Sequence, residues 1–132
     1  MRSSDVAILA DDLIWSTRLA DLVRASGRRP VVVRGLPELA QVLPDAAAVI
    51  IDLTARAYDG IAAVEVAAHG GHRVLCVGQH DDRELRARAL HAGAERVYAY
   101  RLLFERGAET LTTWLAAAPA VPAAAETPGD AT

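Results

Sequence analysis

The sequence predicts an α/β domain with a single five-stranded parallel sheet and helices on both faces, a (βα)5 flavodoxin-like arrangement. Short aliphatic runs alternate five times with segments of helical periodicity. Right-handed crossovers leave few other ways to connect such an alternation than a parallel sheet. The 132 residues, 52% of them hydrophobic and 23% charged, suit one globular domain of this kind.

The predicted strands are short and rich in valine, isoleucine, leucine and alanine, which is typical of strands covered on both faces. They comprise residues 6–10, 30–33, 48–53, 73–77 and 96–100.

The predicted helices lie between and after these strands, at residues 12–25, 37–43, 59–68, 82–92 and 103–116. Pro37 suits a first helical turn, and Gly93 suits the residue that ends the fourth helix. In the fifth helix, helical spacing places Phe104, Ala108, Leu111 and Leu115 on one stripe, which we expect to face the core.

Domain organisation follows from a change in composition near residue 117. We predict one domain over residues 1–117 and a disordered tail, rich in proline and alanine, over residues 118–132. No apolar stretch reaches the length of about 18 residues that a membrane span needs. Cys76 is the single cysteine, so an internal disulfide is excluded and a reducing, cytoplasmic location is expected. A net charge of −3 gives this chain alone no basis for binding nucleic acid.

Three aspartates follow predicted strands: Asp11 and Asp12 after the first, and Asp52 at the end of the third. The carboxyl ends of parallel strands meet at one edge, so these side chains are expected to lie near one another. Two carboxylates about 4 Å apart repel by roughly 4 kcal/mol at an effective dielectric of 20, so a close cluster needs a proton, a cation or solvent. Mg²⁺ is the natural cation for such oxygens. The alternative for the acidic pair is helix capping.

These aspartates, together with Gly60 and the pair Gly93 and Ala94, resemble the receiver domain of two-component response regulators. The resemblance covers roughly residues 5–116, and residues 87–94 are particularly similar to the fourth helix of that family and its following turn.

The resemblance implies a receiver fold in which Asp52 accepts a phosphoryl group from a histidine kinase. It also implies that Asp11, Asp12, Asp52 and the backbone carbonyl of Thr54 hold Mg²⁺. Carboxylates and a divalent cation suit this chemistry, because phosphoryl transfer depends mainly on positioning and charge neutralisation.

The chain departs from the family pattern at the residues that would carry the signal. Gly78 stands where the family has threonine or serine, and Tyr100 stands where it has lysine. All 14 basic residues are arginines, so no lysine exists to compensate. Arg101 is adjacent but is expected to point to the other face, and Val97 occupies the aromatic switch position. The resemblance is therefore to a degenerate receiver.

Three hypotheses about function follow. The first is a degenerate receiver that works by protein–protein contact, with a histidine kinase or a downstream effector as partner and a homodimer left open. Its contacts would use the fourth and fifth helices and the strand between them. The second is a working phosphoacceptor, phosphorylated on Asp52 with Mg²⁺. The third is a small α/β enzyme or nucleotide binder using the acidic edge. No phosphate-binding loop or nucleophile–base pair supports the third, so an enzyme is not expected.

Overall fold

A computed structural model describes residues 5–79 and 81–117, and the predicted tail lies outside them. Five strands form one parallel sheet in the order β2-β1-β3-β4-β5, which confirms the predicted fold class. The strands are β1 Asp5–Leu9, β2 Arg29–Val33, β3 Ala46–Asp52, β4 Arg73–Gly78 and β5 Arg96–Ala99.

Each strand is followed by a helix, and three helices begin with an aspartate cap. The helices are α1 Leu13–Ala25, α2 Leu36–Val42, α3 Gly60–His69, α4 Arg83–Ala92 and α5 Tyr100–Ala116. The side chains of Asp12, Asp59 and Asp82 accept hydrogen bonds from backbone amides in the first turns of α1, α3 and α4. These bonds satisfy amides that have no partner within the helix. None of the helices within the described residues is long and apolar enough to cross a membrane.

The sheet separates two hydrophobic layers because successive side chains of a strand point to opposite faces. Ala7 and Leu9 of β1 pack against residues of α2, α3 and α4. Val6 and Ile8 pack against residues of α1 and α5. Helices therefore cover both faces, as predicted, and the carboxyl ends of the strands remain as an open edge.

Helix α5 departs from the predicted pattern in its start and in its buried face. It begins at Tyr100, which the sequence places in the fifth strand. Arg106 has non-helical angles, φ −139° and ψ 29°, so two helical segments meet there at a kink. Leu103 and Gly107 are buried, whereas Phe104 is 64% exposed and contradicts the prediction of a core position.

The last turn of α5 is tied to the opposite end of the sheet by a largely buried ion pair. Arg73 of β4 bonds Glu95 through two nitrogens, at 2.9 and 3.0 Å. Its guanidinium also lies 4.6 Å from the ring centroid of Trp114, whose indole nitrogen donates to Glu95 at 3.2 Å. This cluster, which we call the Arg73 clamp, lies at the amino ends of β4 and β5, at the opposite end of the strands from the acidic edge.

Candidate acidic site

The strand order places β1 beside β3, so the residues that follow or end these two strands meet at one edge of the sheet. A cleft of about 580 Å³ opens there. Its lining contains the three predicted carboxylates together with Thr54. The described residues that line the cleft are Asp11, Asp12, Trp15, Asp52, Thr54, Arg56, Gln79 and Tyr100.

Asp11 and Asp12 have different structural partners. Asp11 Oδ2 accepts hydrogen bonds from the backbone amides of Arg56 and Ala57, each at 3.0 Å, and so holds the loop between β3 and α3. Asp12 Oδ2 accepts from the amide of Trp15 at 2.8 Å, as the cap of α1. Helix capping therefore accounts for Asp12, whereas Asp11 links two loops at the edge.

Asp52 is the buried member of the site, with only 1% of its surface exposed. Its Oδ1 accepts three hydrogen bonds, from the Thr54 amide at 2.9 Å, the Thr54 hydroxyl at 2.8 Å and the Tyr100 hydroxyl. The Tyr100 and Thr54 hydroxyl oxygens also lie 2.6 Å apart. Hydrogen bonds to a carboxylate are about twice as strong as neutral ones, so this arrangement fixes one oxygen of Asp52 firmly.

Two tyrosine hydroxyls donate at this edge and remain protonated. Burial, followed by the hydrogen bond to Asp52, raises the pKa of Tyr100 above its ordinary value. Burial also raises the pKa of Tyr58, and the charges of Asp52 and Asp11 add to that effect. The Tyr58 hydroxyl reaches the backbone oxygens of Asp52 at 2.6 Å and Leu9 at 2.9 Å, which ties the ends of β3 and β1 together.

The ring of Tyr100 forms a wall of the cleft with Trp15. The two ring centroids are 4.1 Å apart and their planes are tilted by 43°. Aromatic pairs at this distance are typically worth about 0.5 to 1.5 kcal/mol beyond their area burial. Tyr100 is therefore held from both ends, by Trp15 at its ring and by Asp52 and Thr54 at its hydroxyl.

Comparison with known proteins shows the same architecture in solved structures. No protein-family profile and no curated protein sequence matches the chain. The receiver domain of the TMAO respiratory system response regulator TorR superposes with a TM-score of 0.74 at 16% identity, covering 84% of this chain and 95% of that one. The chain has the fold of a receiver domain.

Two further structures with the receiver fold extend this comparison. One is the beryllofluoride-activated NtrC4 receiver domain dimer, with a TM-score of 0.67 and 14% identity over 86% of this chain and 99% of that chain. The other is a putative pilus assembly-related protein from Burkholderia pseudomallei K96243, with a TM-score of 0.68 and 22% identity over 85% and 89%. At these identities the likeness establishes the fold, and the chemistry must be argued from the residues of this chain.

The structure shows which residues surround two of the positions that depart from the family pattern. Arg101 is 82% exposed and pairs with Glu105 at 3.3 Å, so it points away from the cleft, as expected. Gly78 ends β4 beside Leu53, where an added Cβ would lie 3.7 Å from the nearest atom, an ordinary contact. Steric crowding is therefore no reason for the missing side chain at Gly78.

The donor chemistry of the cleft suits Mg²⁺. Within residues 5–79 and 81–117, one oxygen each of Asp11, Asp12 and Asp52 has no hydrogen bond. In the same part of the chain, no group of three or more histidine, cysteine, aspartate or glutamate side chains is already assembled around one point. Mg²⁺ coordination by Asp11, Asp12, Asp52 and the Thr54 carbonyl therefore stays a prediction.

Sequence reasoning missed the contacts of Tyr100, Trp15 and Tyr58 with the acidic edge. Tyr100 was placed by the family pattern at the lysine position, but nothing in its sequence neighbourhood indicated a hydrogen bond to Asp52. Trp15 is the third residue of α1 and follows Asp12 by three positions, which brings it to the same edge, but its contact with Tyr100 depends on the fold. The loop that brings Tyr58 back over β3 carries no periodic signal.

Proposed function

We propose that this chain is a receiver-type signalling module that acts through protein–protein contact and does not use Asp52 as a phosphoryl acceptor. The proposal rests on the hydrogen bond that the Tyr100 hydroxyl donates to Asp52 Oδ1. Tyr100 occupies the position where the resemblance implies a lysine. A tyrosine hydroxyl there satisfies the carboxylate without supplying positive charge.

The charge balance of the cleft argues against a stable acyl phosphate. A phosphoryl group adds a charge of about −1.5 to −2 at neutral pH. It would stand beside Asp11 and Asp12, and Arg56 is the only cationic side chain among the described residues that line the cleft. The amide of Arg56 already bonds Asp11, and without a lysine the added charge has little compensation.

The parts that would transmit a phosphorylation signal are also altered. Gly78 has no hydroxyl to follow a phosphoryl group. Val97, at the aromatic switch position, is buried in the core beneath α4. A packed aliphatic side chain has no second, exposed position of the kind that a switch requires. The contact surface of the module is therefore independent of phosphorylation in this proposal.

The partners we propose are proteins: a histidine kinase, a downstream effector or a second copy of the chain. Exposed apolar side chains on α4 and α5, Leu90 at 42% and Phe104 at 64%, support a contact surface that includes these helices. The dimer of the similar NtrC4 receiver domain supports including a homodimer. We place the module in the cytoplasm, propose no catalytic turnover, and assign nucleic-acid binding to none of its surfaces.

A working phosphoacceptor is the second candidate, favoured by the shared cleft of Asp11, Asp12 and Asp52. In that candidate Asp52 would react through the oxygen that Tyr100 and Thr54 leave open. Beryllofluoride, a stand-in for the phosphoryl group, separates the two candidates.

The test follows Trp15 fluorescence in a Trp114→Phe background while Mg²⁺ and then beryllofluoride are added. Trp15 is a suitable reporter because its ring contacts Tyr100. The proposal predicts no saturable response to beryllofluoride, and the same behaviour in the matched Asp52→Asn variant. A saturable response that disappears in Asp52→Asn would establish the phosphoacceptor instead.

A further inference from the structure

A continuous series of ring and cation contacts leads from the buried Asp52 to the surface. The Tyr100 hydroxyl bonds Asp52, and the Tyr100 ring contacts the ring of Trp15. The guanidinium of Arg18 lies 5.6 Å from the Trp15 ring centroid and 4.7 Å from that of Phe104. Arg18 therefore bridges an aromatic ring of the cleft and an aromatic ring on the outer face of α5.

The energies of these contacts limit the coupling free energy that they can transmit. A cation over an aromatic ring within about 6 Å contributes roughly 0.5 to 1 kcal/mol at an exposed site. Only the part of each contact that differs between two states contributes to a coupling, so these contacts set its upper limit, on the scale of the roughly 1 to 3 kcal/mol (about 5- to 150-fold) typical of coupled sites. Every member lies on α1 or α5, which approach each other closely where Gly107 faces Leu22.

The outer end of the series is exposed. Phe104 on α5 is 64% exposed, and the Arg18 guanidinium lies over its ring. On its other side Arg18 lines a surface depression with Leu13 and Ile14 of the first turn of α1, each 68% exposed. The first turn of α1 also carries Trp15, so this exposed surface and the cleft share one helical turn.

We propose that Tyr100, Trp15, Arg18 and Phe104 form a relay that couples the hydrogen-bonded state of Asp52 to the α1–α5 face. When the bond between Tyr100 and Asp52 weakens, the Tyr100 ring shifts against Trp15, and Arg18 and Phe104 follow. Binding at the α1–α5 face changes the Asp52 site by the same free energy, because coupling between two sites is reciprocal. The relay rests on the proposed function only in that Phe104, its outer member, belongs to the proposed contact surface.

The composition of the chain allows the relay to be followed by ¹⁹F labelling with very few signals. Phe104 is the single phenylalanine, and Trp15 and Trp114 are the two tryptophans. Protein grown with fluorophenylalanine and fluorotryptophan therefore gives one ¹⁹F signal for Phe104 and two for the tryptophans. Trp114 belongs to the Arg73 clamp, so its signal serves as an internal control.

The experiment compares Asp52→Asn in three backgrounds: otherwise wild type, Tyr100→Phe and Arg18→Met. In the first we expect the Trp15 and Phe104 signals to shift by more than their line widths while Trp114 stays in place. Tyr100→Phe keeps the ring, removes the hydroxyl and adds a second fluorophenylalanine signal, which is identified by its absence from the wild type. In this background Asp52→Asn should move neither the Trp15 nor the Phe104 signal further. In Arg18→Met, it should move Trp15 and leave Phe104 unchanged.

Three outcomes would overturn the relay: a Phe104 signal that ignores Asp52→Asn, a shift that persists in Tyr100→Phe, or a Phe104 shift that persists in Arg18→Met. Asp82→Asn, which alters a helix cap outside the cleft, is the matched control and should move none of the signals. The test uses no cation or phosphoryl analogue, so its failure leaves the beryllofluoride result and the proposed function unaffected.

Discussion

At the scale of single residues, the three carboxylates of the acidic edge differ in the hydrogen bonds that they accept. Asp11 holds a loop, Asp12 caps a helix, and Asp52 accepts two hydroxyls and an amide. The sequence located all three at one edge, because strand ends follow directly from the aliphatic runs. It could not reveal the partners, since Thr54 is two positions from Asp52 but Tyr100 is 48 positions away.

Replacing Asp12 by asparagine should stabilise the fold relative to the same change at Asp59, the cap of α3, whose neighbours in the chain are uncharged. Asparagine caps a helix about as well as aspartate, so both changes keep the cap, and both lose the same helix-dipole interaction. Asp12, unlike Asp59, lines the cleft together with Asp11 and Asp52 and repels them. We expect the free energy of unfolding of Asp12→Asn to exceed that of Asp59→Asn by about 0.5 to 1 kcal/mol without Mg²⁺.

Urea unfolding of the two variants in low salt measures this difference. Equal values would mean that the carboxylates do not interact across the cleft.

The buried tyrosines should make the protein less stable at alkaline pH. Tyr58 and Tyr100 have pKa values raised by burial in the folded state, so the unfolded chain loses their protons first as pH rises. Their contribution is complete below about pH 10 and is lost progressively above it. The free energy of unfolding should fall above that pH, and Tyr100→Phe should reduce the slope by up to about 1.4 kcal/mol per pH unit.

Denaturant titrations at a series of alkaline pH values test the tyrosine prediction. A slope that is the same in wild type and Tyr100→Phe would show that Tyr100 ionises as freely in the folded protein as in the unfolded chain.

At the scale of helices and strands, sequence periodicity predicted all five strands and all five α-helices, but not the 3-10 turn at Leu43–Asp45. It was wrong for the first half of α5, where it placed Phe104 and Ala108 in the core. The buried positions there are Leu103 and Gly107, which continue the stripe of Leu111 with the same helical spacing. Phe104 and Ala108 have that spacing to Leu111 as well, within one residue, so the hydrophobic pattern alone did not distinguish the two stripes.

Gly93→Ala tests how α3 and α4 pack at the end of the fourth helix. Gly93 has φ +125°, and an added Cβ would lie 2.5 Å from the Cβ of Ala68. Gly27 has φ +81° with nothing within 4 Å, so Gly27→Ala carries backbone strain alone. Left-handed strain costs about 1 to 2 kcal/mol, and overpacking adds typically about 1 to 3 kcal/mol.

We therefore expect Gly93→Ala to lower the free energy of unfolding by at least about 1 kcal/mol more than Gly27→Ala. Thermal and urea unfolding of both variants provide the values. Equal losses would show that Ala68 can move aside freely.

At the scale of the whole molecule, two features fix the ends of α5. Its first residue, Tyr100, is bonded to Asp52 at the carboxyl edge, and its last turn is held by the Arg73 clamp. The overall architecture was predictable because alternating strands and helices admit few topologies. The clamp was not predictable, because Arg73, Glu95 and Trp114 are brought together only by the completed fold.

The Arg73 clamp should contribute far more to stability than an exposed ion pair. Arg73→Met leaves the Glu95 carboxylate largely buried without its two charge-assisted bonds, which should cost about 1.5 to 3 kcal/mol. Arg24→Met is the matched control, because Arg24 pairs with Asp21 at the surface and should cost less than about 1 kcal/mol. Urea unfolding of both variants measures the contrast. Losses of the same size would reduce the clamp to an ordinary surface pair.

The central claim is that Asp52, bonded by the Tyr100 hydroxyl where the family has a lysine, does not accept a phosphoryl group. Intact-mass spectrometry tests this claim most directly. The wild type and a Gly78→Ser/Tyr100→Lys variant, each with Asp52 intact and with Asp52→Asn, are exposed to a small phosphodonor with Mg²⁺. The account predicts no added phosphoryl group in the wild type and one that depends on Asp52 in the variant with lysine and serine restored. An Asp52-dependent phosphoryl group on the wild type would contradict it.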